Sequence, residues 1–163
     1  MKTQKLVVAI LLSSVCISTT LSAKSESEVP YPTNYEDWTR VKSRVVLEGH
    51  KLFDAFGGFH HLYANKIALT SLNDGTPFET GAVLVTERVE PIEENHSLTE
   101  GERREIGVMV KNSGRYPETG GWGFENFKRA DPDQRTVSDM KEQCFSCHKS
   151  QKANDYVHAR IHD

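Results

Sequence analysis

The run Cys144-Phe-Ser-Cys-His148, close to the carboxyl end, constrains this chain more than any other feature. Two cysteines three apart lie on one face only if the stretch is helical. The pair alone is ambiguous. It suits a disulfide or a redox-active dithiol, while a four-ligand zinc site needs further cysteines or a second suitably spaced histidine. The histidine directly after the second cysteine decides, because C-x-x-C-H is the attachment signature of c-type haem. Each thiol adds to one haem vinyl group, and the vinyls sit at a fixed separation. His148 then reaches beneath the ring as proximal iron ligand. One such run implies one covalent haem c, held by Cys144 and Cys147, with His148 on the metal.

The amino end supports this reading. Lys2 and Lys5 precede an almost wholly apolar stretch, Leu6 to Ile17, and small residues lead to Ala23. That is the three-part form of a secretory signal peptide, and it is too short for a spanning helix of roughly 20 apolar residues. Residues 1–23 are therefore expected to be a leader, and residues 24–163 a single exported, periplasmic domain with no membrane contact after cleavage. Cleavage also removes Cys16, leaving two of the three cysteines. Loss of Lys2 and Lys5 takes the formal net charge from −3 to −5. No run of Lys or Arg appears, which argues against a nucleic-acid partner.

Between these ends the pattern is mostly β. Asn34 with Glu36 and Asp37 suggests a short helix over Tyr35 to Lys42, and Val45 to Leu47 the start of a strand. Phe59 to Tyr63, Gly81 to Glu90, Glu102 to Lys111 and Trp122 to Phe127 read as further strands. Pro91 to Gly101 reads as an acidic surface loop that Pro91 begins, and Asn73-Asp74-Gly75 as a turn. From about Ser138 the pattern becomes helical. The expected class is α+β, a mainly antiparallel sheet with a short N-terminal helix and a C-terminal helix carrying the haem attachment residues.

Several side chains are candidates for the surroundings of a haem. Trp122 and Phe124 share a strand face, with Phe127 opposite; their default role is core, and the functional alternative is an apolar wall over the open side of the ring. Glu125 and Arg115 are the nearest charged candidates for moving protons or orienting a polar ligand. His60 and His61 face opposite ways on a strand, so one is expected buried and the other exposed. His50 is expected at the surface. His158 and His162 are expected at i and i+4 on the last helix. Met140 shares the attachment helix and cannot reach the opposite side of the ring; Met109 lies beside Gly107 and Lys111 with no sign of a haem pocket.

The stretches YPTNYEDWTRVKS, HHLYAN, GAVLVTERVE, GVMVKNSGRYPETGGWGFENF and CFSCH…DYVHAR, spanning Tyr31 to about Arg160, together resemble the cytochrome P-460 family, which includes the cytochrome c′-β proteins. The resemblance implies a largely β homodimer and a five-coordinate haem with an open distal side. Some members oxidise hydroxylamine and bind nitric oxide, and in those a lysine is also bonded to the porphyrin rim. That lysine precedes the turn into the strand that starts here at Gly81. Between Leu52 and Val110 the only lysine is Lys66, several residues upstream of that place. Lys66 is the candidate for such a cross-link; a solvated surface lysine is the simpler alternative. Three functions remain open: oxidation of small nitrogen compounds with electrons passed to a soluble cytochrome, capture of nitric oxide without turnover, and plain electron transfer.

Overall fold

A computed structural model describes residues 28–160; the expected leader and His162 lie outside them. Five strands form one antiparallel meander in chain order: β1 (Thr39–Val46), β2 (Gly58–Ala64), β3 (Val83–Glu94), β4 (Ser97–Lys111) and β5 (Trp122–Lys128). Helix α1 (Phe53–Phe56) lies in the β1–β2 connection and α2 (Lys66–Asp74) between β2 and β3. The chain ends in one helical stretch: a π-helical turn (Lys141–Phe145), α3 (Ser146–His148) and a 3-10 segment (Lys149–Asn154).

Two expectations are corrected here. The N-terminal helix shrinks to a single 3-10 turn, Tyr35–Asp37, and Thr39 onward is strand. Asn34 is left-handed, with φ 60°, and its side chain caps nothing. Thr39, Val41, Val45 and Val46 are β-branched and gain more from pairing with β2. The acidic loop after Pro91 is instead the far half of a long hairpin. Asn95 and His96 both take positive φ, 52° and 60°, and Glu94 pairs with Ser97 across them. Such a two-residue turn matches the twist of the strands. Pro91 is accommodated because the β3–β4 register shifts between Val89 and Pro91, where no ladder donor is needed.

Helix α2 had no counterpart among the expected elements. Its cap is Asn65, whose side chain accepts from the Ala68 N–H at 2.9 Å and the Val83 N–H at 3.1 Å, and donates to the Gly81 carbonyl at 2.9 Å. One side chain thus starts the helix and fastens it to β3. Gly75, with φ 63°, closes it in the left-handed form that favours glycine.

Alternation along the strands divides the core in two. Ala64, Leu84, Trp122 and Phe124 face α2 and the C-terminal stretch, packing with Ala68, Leu72, Phe78 and Val157. Val85, Ile106, Val108 and Phe127 face the other way, under Val29 and Tyr35 of the N-terminal segment. The expected faces of Trp122, Phe124 and Phe127 are therefore observed. On this second side the buried Glu87 carboxylate accepts from the Tyr35 hydroxyl at 3.1 Å and the Tyr63 hydroxyl at 3.3 Å, and pairs with Arg103, which also reaches Glu36 at 2.6 Å. Burial, then the Glu87 charge, drives the Tyr35 phenol far above its usual range. A buried carboxylate needs that many donors. Val108 is only 2% exposed. Val108→Ala should lower the unfolding free energy by about 1–3 kcal/mol in urea titration; a change near zero would contradict this facing.

Candidate functional site

The residues expected to attach a haem fall on the wide π turn and the helical turn after it. The thiols of Cys144 and Cys147 are free. Cys144 is half-buried and packs against the first core, with Met109, Met140, Phe145 and Tyr156 around the same cluster, while Cys147 is exposed. Burial, followed by the charge of Glu125 and by Cys147, pushes the Cys144 thiol up to about 11. It is a protonated, inward-facing sulfur at neutral pH, not a poised nucleophile.

His148 is held by one hydrogen bond. Its Nδ1 lies 2.8 Å from the Tyr156 carbonyl. A carbonyl only accepts, so Nδ1 carries the proton and Nε2 keeps its lone pair. Burial lowers the His148 pKa, the Tyr156 bond opposes this, and His158 adds to the lowering. The ring is therefore neutral near pH 7, the form that binds a metal. It sits 5.0 Å from the Phe124 ring and 4.8 Å from that of His158.

The sheet face beneath is graded. Ala64, Leu84, Met109 and Phe124 make one row across β2 to β5; Leu62, Thr86, Gly107 and Asn126 make the next. A third row includes His60 and Arg88, and both reach α1: His60 Nε2 donates to the Phe56 carbonyl at 2.6 Å and Arg88 Nη1 to the Ala55 carbonyl at 2.8 Å. The second row thus lies between the row at Phe124 and the row bonded to α1. Gly107 keeps it low: a Cβ there would come 3.0 Å from Asn126 Oδ1. Leu52 and Phe56, at the α1 end, are each 44% exposed.

The remaining candidates separate. Phe124 lies against the His148 ring. Trp122 is deeper, fully buried, edge-on to Phe78 and bonded through Nε1 to the Asp155 carbonyl at 2.8 Å. Glu125 faces the opposite side of the sheet; it accepts from the N–H groups of Asn126 and Val137 at 2.9 and 3.0 Å and pairs with Arg135 at 3.1 Å. Arg115 is exposed in the β4–β5 connection and Lys66 is exposed at the first position of α2. Neither is brought to His148 by a contact. His60 and His61 are both buried, against the expectation of one exposed ring; His61 satisfies Nδ1 with Ser43 Oγ at 2.8 Å. The last helix ends at Asn154, so His158 lies in a non-helical tail. Met109 is partly buried and packs against the first core.

The donor set and the glycine-lowered shelf suit a flat macrocycle with an axial imidazole. Among the described residues no group of three or more His, Cys, Asp or Glu side chains gathers as a conventional metal site. A model of the family described as cytochrome P460 matches residues 32–159. The chain belongs to that family, and membership implies a haem cofactor of the cytochrome c type. No curated protein matches the chain. Tyr156 and α1 were missed in the sequence. Tyr156 acts through its carbonyl, which carries no residue signature, and the four-residue α1 has no periodicity to read.

Proposed function

We propose that this chain is an exported, periplasmic cytochrome with a single covalent haem c, whose iron keeps one position open for small nitrogen compounds such as hydroxylamine or nitric oxide. The observation that carries the reading is His148: a neutral ring fixed through Nδ1, with Nε2 free, one position after a pair of free thiols. The haem supplies a redox-active iron. Cys144 and Cys147 would fasten it and His148 Nε2 would be the protein donor to its iron, with Phe124 packed beside that imidazole. Leu62 and Gly107 share the shelf with Thr86 and Asn126, and His60 and Arg88 stand in the next row.

Capture of nitric oxide without turnover is the alternative, and the place of Lys66, several residues upstream of where the family resemblance puts a cross-linking lysine, favours it. A soluble cytochrome as electron acceptor and a homodimer belong to the same proposal. Electron paramagnetic resonance of the ferric holoprotein tests the open site. A high-spin signal is expected; a purely low-spin bis-histidine or histidine–methionine signal would overturn it. Hydroxylamine with an electron acceptor then separates the two functions: steady turnover marks an enzyme, a stable adduct a binder.

A further inference from the structure

One buried ion pair has no part in the site as described so far. Lys111, the last residue of β4, is 7% exposed. Its Nζ lies 2.7 and 2.8 Å from the two carboxylate oxygens of Asp155, 3.0 Å from the Gly120 carbonyl, and 5.1 Å from the centre of the Trp122 ring. Asp155 also accepts from the Phe78 N–H at 2.9 Å, and its own carbonyl accepts from Trp122 Nε1 at 2.8 Å. Every polar atom at this junction is used. Buried charges are costly unless so paired.

The junction holds the backbone in an unfavourable shape. Asp155 and Tyr156 are consecutive left-handed residues, with φ 47° and 65°, and neither is glycine. They close the last helical segment, where local backbone bonds and the packing around them hold both. The Tyr156 N–H donates to the Gln151 carbonyl at 2.8 Å. Its ring lies on Gly120, where a Cβ would come within 2.2 Å of a ring carbon. The product of these constraints is the direction of one group, the Tyr156 carbonyl, which accepts from His148 Nδ1 at 2.8 Å.

We infer that Lys111 and Asp155 are positioning residues for the axial histidine: the ion pair locks the Asp155–Tyr156 kink, and the kink aims the Tyr156 carbonyl at His148. This rests on the reading of His148 as the iron ligand. A hydrogen bond to the outer ring nitrogen raises the donor strength of the inner one. A stronger donor stabilises the ferric state, so loosening the pair should weaken the iron–histidine bond and raise the reduction potential.

Lys111→Met and Asp155→Asn test this in the holoprotein, with Val108→Ala, a core change on the opposite face, as control. Haem staining after denaturation first reports covalent attachment. Loss of haem from the unmodified protein would overturn the cytochrome reading itself, separately from this inference. The iron–histidine stretching band of the ferrous protein should move to lower frequency in both variants. The ferrous-to-ferric ratio at fixed poise should rise by up to about tenfold, a shift of 59 mV for one electron. Val108→Ala should move neither. An unmoved band and potential in the variants, with haem retained, would overturn the inference, as would equal shifts in Val108→Ala. If Lys111→Met fails to accumulate, Asp155→Asn decides alone: it keeps the side-chain shape and removes only the charge.

Discussion

Replacing Cys144 and Cys147 together by alanine should abolish covalent haem. After denaturation in acidified organic solvent the unmodified protein should keep essentially all its pigment on the polypeptide, and the double variant none. The effect is all-or-none because thioether bonds survive unfolding, whereas axial ligation and apolar contact do not. Either single variant should keep one thioether and hence retain haem through this treatment. His148→Ala should leave attachment intact and remove only the axial donor, giving a changed ferric spectrum on a still-stained polypeptide. Pigment that washes out of the unmodified protein would sink the assignment of these cysteines.

Trp122→Ala should be the most damaging single core change, at about 3–5 kcal/mol of unfolding free energy. The side chain is fully buried. It meets Phe78 edge-on at 5.1 Å between ring centres, and Lys111 Nζ lies 5.1 Å from its own ring centre. Its Nε1–H satisfies the Asp155 carbonyl at 2.8 Å. Truncation opens a cavity and strands that buried carbonyl, and each loss adds to the other. Domains of this size have only about 5–15 kcal/mol in total, so the variant should sit near its folding threshold. Trp122→Phe keeps most of the ring, loses the hydrogen bond, and should cost about 1–3 kcal/mol. Urea unfolding of both variants measures this; losses below about 1 kcal/mol for alanine would mean that Trp122 is not the pin between sheet and C-terminal stretch.

Much of the sheet was legible in the chain, and the reason is local. Side chains alternate with a period of two, so Ile106, Val108 and Val110 against Gly107 and Met109 declare a strand and its faces. The same rule separated Trp122 and Phe124 from Phe127. Where local signals misled, pairing overrode them. Asn34 with two acidic residues resembles a helix start, yet β1 begins at Thr39 because β2 offers it a ladder. Pro91 resembles a strand stop, yet a register shift lets β3 run on to Glu94.

The site divides along the same line. Cys144, Cys147 and His148 lie within five residues, so the expectation that they would attach a haem follows from spacing alone, without help from the fold. The sequence also determined the strand faces. Only the tertiary structure decided what surrounds His148. Lys111 and Asp155 are 44 residues apart, and Glu87 and Tyr35 are 52 apart; neither pair has a spacing that means anything until strands have chosen their register. The bond that fixes the axial ring comes from a backbone carbonyl, which every residue possesses. Its direction comes from two left-handed residues that end the last helical segment and pack against Lys111 and Gly120, which lie far away in the chain.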